Sequence, residues 1–325
     1  MVGIDVGGTK VAVARVEGAR AVDRAERPTA VDDTESLLDG IEDAFEEVVA
    51  EGDRPEAVGV GVPSQIDFAT GTVLSSVNIP LKGVPLREEL GRRFGVPVFV
   101  DNDANCAALA EAQLVPDPPA QHLVMLTLGT GVGGGLVIDG SIERGHTGLG
   151  AELGHIIVDG STALAARDDA PFPRPGSLEW HCSGSGLERA ATAAARENEG
   201  ALGRTLVQRG RVSGRDLVAA AKDGDPQALE LFEQHGRWLG LGIASIVNTF
   251  EPERVVIGGG LSRASGLFLD TAVAEAGRNT LPVLWERTRV ELARGGSDAG
   301  VIGAGVLAAQ ELQRSGDTQA QSTSP

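Results

Sequence analysis

Two short glycine-rich segments carry the residue types that could handle a polyphosphate. Asp5-Val6-Gly7-Gly8-Thr9-Lys10 sets a carboxylate, a hydroxyl and an ammonium around two glycines, and Gly129-Thr130-Gly131-Val132-Gly133-Gly134-Gly135 returns to the same theme later in the chain. Glycines let a backbone come close to a polyanion and leave N–H groups free to point at it. An acid beside them suits a hard divalent cation, which takes oxygen ligands. A Gly-Gly hairpin turn would explain either loop alone, but such a turn has no use for Asp5, Thr9, Lys10 and Thr130 together. Neither loop has the Gly-Lys-Ser/Thr that opens a helix in a P-loop, and neither is a Rossmann fingerprint.

Further chemistry is available at Asp101-Asn102-Asp103-Ala104-Asn105. A carboxylate at the carboxyl end of a strand in an α/β sheet lies where ligands bind, and it could take a proton from a hydroxyl nucleophile. It could equally cap the helix that follows, and spacing alone leaves Asp101 and Asp103 both open. Glu152 and His155, three apart in Gly150–His155, could reach one polar ligand. Glu179 follows a loop containing Pro171, Pro173 and Pro175, and by itself reads as a solvated acid.

Each glycine loop lies between apolar, β-branched runs, Val2 and Ile4 then Val11 and Val13 for the first, Leu123–Leu128 then Leu136–Ile138 for the second. Both predict strand, tight turn, strand, and the recurrence predicts a duplicated α/β unit. Leu37, Leu38, Ile41, Phe45, Val48 and Val49 share one face of a helix predicted over 34–51. Strands are expected over 57–62, 96–100 and 255–257, an alanine-rich helix over 104–114, and a largely buried helix over 228–250 whose Gly236, Gly240 and Gly242 imply close packing. Val115-Pro116-Asp117-Pro118-Pro119 marks a domain boundary, and the polar segment from Gln310 onward is expected to fray.

The chain has 325 residues, 42% of them hydrophobic and 23% charged, enough for two domains with sizeable cores. It offers no long uncharged apolar run, opens on a strand rather than a signal peptide, and holds only Cys106 and Cys182, which fits a reducing cytoplasm. The net charge of −18 repels nucleic acid and anionic membranes. With lysine only at positions 10, 82 and 222, the composition reads as adaptation to a salt-rich cytoplasm, where dense salt screens self-repulsion.

In order, Asp5–Lys10, Asn78, Asn102–Asn105, Gly129–Gly135, Gly150–His155, Gly176–Glu179 and Gly258–Gly260 resemble the ROK family of repressors and sugar kinases, from Val2 to about Leu307. The resemblance implies an α/β fold of two duplicated actin/hexokinase-like (ribonuclease H-like) domains with a cleft between them. The expected divisions are 1–116 completed by a C-terminal helix 300–313, then 117–299, with 314–325 a disordered tail. It implies Asp103 as catalytic base, with Asn78, Asn102, Asp103, Glu152, His155 and Glu179 on the sugar. It further implies Asp5, Gly7, Gly8, Thr9 and Lys10 as the first phosphate loop with Mg²⁺ near Asp5. Gly129, Thr130 and Gly131 would form the second loop, and Gly258, Gly259 and Gly260 would lie beside the adenosine. The expected activity is transfer of phosphate from ATP to the 6-hydroxyl of glucose or a similar hexose. Another hexose or an N-acyl amino sugar, or polyphosphate as donor, are the alternatives within the enzymes. A homo-oligomer, dimer or tetramer, is expected.

The chain departs from the family at its zinc motif. Where members carry three cysteines and an upstream histidine, this sequence has Ala170-Pro171-Phe172-Pro173-Arg174-Pro175-Gly176-Ser177-Leu178-Glu179 and keeps only His155. No structural zinc is therefore expected. His181 and Cys182 with His155 would make a poor tetrahedral set. Only four residues precede Asp5, which leaves no room for the winged helix of the repressors, and Asp103 with both loops argues against a sugar-binding protein without turnover.

Overall fold

A computed structural model describes residues 1–49, 53–114, 118–196 and 200–322, with side chains described as far as 316. The chain opens with β1 (Val2–Val6), β2 (Lys10–Glu17), β3 (Arg20–Pro28), α1 (Thr34–Val48), β4 (Val58–Val62), β5 (Ser64–Asp67), β6 (Thr72–Ser76), α2 (Leu86–Phe94), β7 (Val98–Asn102) and α3 (Asp103–Leu114). There follow β8 (Leu123–Leu128), β9 (Val132–Ile138), β10 (Ser141–Ile142), α4 (Gly160–Ala165), α5 (Leu178–Cys182), α6 (Gly184–Arg196), α7 (Ala201–Arg209), α8 (Gly214–Lys222) and α9 (Pro226–Phe250). The chain continues through β11 (Arg254–Gly258), α10 (Leu269–Asn279), α11 (Pro282–Trp285), β12 (Arg289–Leu292) and α12 (Ala299–Ser322).

The duplication is visible in the sheets. One runs β3-β2-β1-β4-β7 and the other β10-β9-β8-β11-β12. Leaving aside the separate β5–β6 hairpin, both place their strands in the order third, second, first, fourth, fifth. In the first sheet β1, β2 and β3 are antiparallel neighbours, while β1, β4 and β7 run parallel. Both glycine loops therefore link the first two strands of a sheet. By internal contacts the chain divides into two compact units, one of residues 1–125, 135–151 and 293–325, the other of 126–134 and 152–292. Of the expected boundary at Val115–Pro119, residues 115–117 lie outside the described residues.

In the first unit the core gathers Ile4, Val13, Val60 and Val100 from the sheet with Leu37, Ile41, Phe45, Leu90 and Phe94 from α1 and α2. Asp33 caps α1, accepting from the Ser36 N–H. The acidic face of α1 is partly anchored: Arg93 of α2 binds Asp39 and Glu42 at 2.7 Å each, and Glu35 as well. Instead of fraying from Gln310 into a disordered tail over 314–325, the chain continues as α12 to Ser322, and 323–325 lie outside the described residues. Among the described residues no helix is long and apolar enough to cross a membrane.

In the second unit α9 is amphipathic rather than largely buried. Phe232, His235, Leu239 and Ile243 face inward while Glu233, Gln234 and Arg237 are exposed. Its glycines do serve close packing. A Cβ at Gly236 or Gly240 would lie 2.6 Å from the Phe268 or Ala272 carbonyl, and one at Gly242 would lie 2.7 Å from Leu178. His235 is 2% exposed, with ring centroids 4.7 Å from Phe268 and 6.5 Å from Phe232. Burial pushes its pKa down from 6.5 to about 4. The unfolded imidazole binds a proton more readily, so this group's contribution is fully present above pH 6.5 and is lost as pH falls toward 4. The full swing is about 3 kcal/mol. The melting temperature is expected to fall on acidification across that window, and His235→Leu should remove most of the drop. An unaltered acid dependence in the variant would assign the loss to other groups.

Candidate active site

In the first unit the loop between β1 and β2 is closed by the Gly7 N–H donating to the Lys10 carbonyl at 2.9 Å. Thr29 braces it, its hydroxyl donating to the Gly7 carbonyl at 2.6 Å and its N–H to the Thr9 carbonyl at 3.1 Å. Gly8 and Thr9 are exposed at the tip, and Asn78 is brought beside Gly8. Lys10 extends to Glu26 on β3 at 2.8 Å. Asp5 ends deeper in the fold. Burial, then the nearby Asp103 carboxylate, push its pKa up to about 6 against the opposing pull of Lys10.

Asp101 and Asp103, equivalent by spacing, have different surroundings. Asp101 is 3% exposed and its oxygens are committed. Oδ2 accepts from Arg144 Nε at 2.6 Å, and Oδ1 accepts from the Asn102 N–H at 2.7 Å and Asn105 Nδ2 at 2.8 Å. Asn102 Oδ1 caps α3 by accepting from the Ala104 N–H at 2.8 Å, while its Nδ2 donates to the Ser64 carbonyl at 3.3 Å. Asp103 is the first residue of α3 and accepts from the same Ala104 N–H at 2.9 Å. Burial raises its pKa, and the N–H groups of Ala104 and of Asp103 itself partly restrain it. Such a carboxylate is a better proton acceptor than a solvated one. Asp5, Asn78, Asn102 and Asp103 thus belong to one unit, with the first glycine loop.

The second unit holds the other residues. The loop between β8 and β9 is tied to the start of α6, where the Gly184 N–H donates to the Gly129 carbonyl at 2.7 Å and Ser185 Oγ to the Thr130 carbonyl at 2.9 Å. Glu179 on α5 accepts from the Val132 N–H at 2.6 Å, and a Cβ at Gly131 would meet that carboxylate at 2.5 Å. The sequence offered no sign of this anchoring. Glu152 precedes and His155 ends a short 3₁₀ turn, with His155 Nε2 3.9 Å from Glu152 Oε2, and the rings of His155 and Phe172 meet edge to face. Gly154 lets the turn lie against the Val132 carbonyl, and the Leu178 N–H donates to the Ile156 carbonyl at 2.8 Å. Gly258 ends β11. Gly259, at φ +82°, lies where a Cβ would be 2.4 Å from the Leu128 carbonyl, and Gly260 opens the 3₁₀ segment beyond.

Where the family carries cysteines, an arginine gathers the chain. Arg174 donates to the carbonyls of Ala170 at 2.7 Å and of Asp168 and Arg167 at 3.1 Å each. The three prolines are therefore not the only ordering device. His155, His181 and Cys182 go to different partners. His181 stacks on Trp238 at 4.4 Å and lies 3.5 Å from Asp159, while the buried Cys182 thiol lies 3.7 Å from the His235 carbonyl. Arg144 is the other residue that the sequence gave no reason to single out.

The sequence pattern of the ROK family matches residues 1–311. A glucokinase of Halalkalibacterium halodurans is 35% identical over 95% of each chain. An N-acetyl-D-glucosamine kinase of Escherichia coli is 35% identical over 94% of this chain and 98% of its own. Among solved structures, a ROK family glucokinase from Streptomyces griseus in complex with glucose and AMPPNP superposes with a TM-score of 0.73. It is 33% identical over 95% of this chain and 99% of its own. With paired sheets of one topology, two glycine loops and a half-buried aspartate at the head of α3, the chain belongs to the ROK family and is a hexokinase-type sugar kinase of the actin/hexokinase-like fold.

Proposed function

We propose that the chain transfers the γ-phosphoryl group of ATP to the 6-hydroxyl of glucose, giving glucose 6-phosphate and ADP, with Asp103 as general base. The observation that carries this reading is the Asp103 carboxylate, first in α3, made more basic by burial and left out of the network that occupies Asp101. As the bond from O6 to phosphorus forms, Asp103 takes the O6 proton, and the bond from phosphorus to the bridging oxygen breaks with its electron pair leaving on ADP. The exposed tips of the glycine loops, Gly8 and Thr9 in one and Thr130 in the other, suit the phosphates. Asn78, Asn102, Glu152, His155 and Glu179 are the proposed sugar contacts, and Gly258, Gly259 and Gly260 the proposed adenosine-side loop. Asp5, a half-buried carboxyl near the Asp103 carboxylate, fits a divalent cation. Mg²⁺ bound with ATP neutralises charge on its phosphates.

The equal identity to a glucokinase and to an N-acetyl-D-glucosamine kinase keeps the amino sugar as second reading. Steady-state turnover against glucose, mannose, N-acetyl-D-glucosamine and N-acetyl-D-mannosamine, with ATP and with polyphosphate, decides both substrate and donor. The highest kcat/KM is expected for glucose with ATP, with EDTA abolishing turnover. A higher kcat/KM for an N-acetyl sugar replaces glucose as substrate, and equal or better turnover with polyphosphate overturns the donor.

A further inference from the structure

The Asp101 carboxylate has three hydrogen-bond partners, Arg144 and the two residues, Asn102 and Asn105, that bracket Asp103. Its Oδ1 fixes the Asn102 N–H and the Asn105 amide, and Asn102 in turn caps the Ala104 N–H. Its Oδ2 is held by Arg144 Nε at 2.6 Å, and this is its charge partner. The side chains of Asp101 and Arg144 are only 4% and 10% exposed. Arg144 is itself fixed from several sides. Its guanidinium carbon lies 3.7 Å from the centroid of the Phe68 ring, and its second nitrogen reaches Glu311 of α12 at 3.2 Å. Its carbonyl accepts from the Gly150 N–H at 2.8 Å. Arg87 of α2 secures Phe68 by donating to the carbonyls of Phe68 and of Ala69, at 2.5 and 2.8 Å. Gly148, at φ +92°, lets the loop after β10 lie against Phe68, where a Cβ would come within 3.0 Å.

We infer that Arg144 is a positioning residue for the base: it holds the Asp101 carboxylate so that Asn102 and Asn105 keep Asp103 where it meets the acceptor hydroxyl. The inference rests on the reading of Asp103 as base. Arg144 acts only through Asp101. A buried carboxylate deprived of its cation either takes up a proton, losing acceptor capacity, or moves toward water. Both outcomes release the Asn102 and Asn105 contacts on either side of Asp103. Proton transfer and in-line attack tolerate little displacement, so the loss falls on turnover. Arg144 makes no hydrogen bond to either glycine loop among the described residues, so nucleotide affinity is spared.

The test is steady-state kinetics with glucose and ATP on Arg144→Met, Arg144→Lys, Asp101→Asn, the Arg144→Met/Asp101→Asn double variant and Asp103→Asn, each below its own melting temperature. Arg144→Met should lose about 10- to 100-fold in kcat with the KM for ATP held within about 2-fold. The double variant is neutral at position 101 while Glu311 keeps Arg314 at 2.9 Å, and it should regain about 10-fold of that loss. Arg144→Lys keeps the charge and should retain more turnover than Arg144→Met, and it stands in if the methionine variant does not fold. Wild-type kcat in Arg144→Met, or in Arg144→Lys as its substitute, beside an inactive Asp103→Asn overturns the positioning role and leaves the base intact. A double variant no faster than Arg144→Met also overturns it. An active Asp103→Asn removes the base reading instead.

Discussion

Asp103→Ala and Asp103→Asn are expected to lower kcat by at least about 100-fold, the usual minimum for removing a general base, with smaller changes in KM for either substrate. The split follows from what the carboxylate touches. It accepts the Ala104 N–H and its own N–H, and Asn102 already caps the first of these. Removing the carboxylate therefore disturbs little structure, and its desolvation cost vanishes with it. Asp101→Asn is the contrasting case. It leaves Arg144 facing a neutral amide inside the protein, and loss of one partner from a buried ion pair costs about 3–5 kcal/mol. That change should lower the melting temperature more than Asp103→Asn does and kcat far less. Melting curves and kcat for the three variants read this directly. A larger kcat loss in Asp101→Asn than in Asp103→Asn would reverse the assignment of the base.

Gly303→Ala is expected to be the most destabilising single-methyl addition in the first unit. A Cβ at that position would lie 1.6 Å from the Cys106 carbonyl oxygen, and the obstacle is the backbone of α3, which cannot turn aside as a side chain could. The helices must separate. Overpacking costs about 1–3 kcal/mol where side chains can give; backbone against backbone puts Gly303→Ala at or above the top of that range. A loss of about 3 kcal/mol corresponds to a melting temperature lower by about 6–12 °C. Gly59→Ala, with its Cβ 1.7 Å from the Ala304 carbonyl oxygen, should behave alike. Gly40→Ala, inside α1 with nothing within 4 Å, is the control and should be stabilising by about 0.5–1 kcal/mol. A melting temperature for Gly303→Ala close to that of the parent would show that α12 and α3 have slack the close contact does not suggest.

What the sequence revealed and what it withheld divide along range. The strands around both glycine loops and the apolar face of α1 were legible because periodicity is local, and both loops do join antiparallel or neighbouring strands. The difference in surroundings between Asp101 and Asp103 was not, because it depends on an arginine 43 residues away. Glu179 read as a solvated acid for the same reason, since its acceptor role toward Val132 lies 47 residues back. The lost cysteines were plain, but the Arg174 guanidinium that collects three carbonyls in their place leaves no mark of its own in a chain with many arginines. The polar stretch after Gln310 resembles a tail in composition, yet Gln310 and Glu311 reach Gly140 and Arg144, and those long-range contacts extend α12.

The seating of α12 sets an order on biosynthesis. Gly300 lies against the Asp5 carboxylate, Gly303 against α3 and Gly305 against Val16, while the Gly3 and Gly59 backbones face Val301 and Ala304. That last helix packs on β1, β2 and β4 of the first sheet. At about 5–20 residues per second, α12 leaves the ribosome roughly 15–60 s after β1. For that interval the nascent strand carrying Asp5 waits without the helix that packs on it, and the first unit is completed only after the second has been made. The first unit, with Asp5 and Asp103, is thus begun before the second and completed after it.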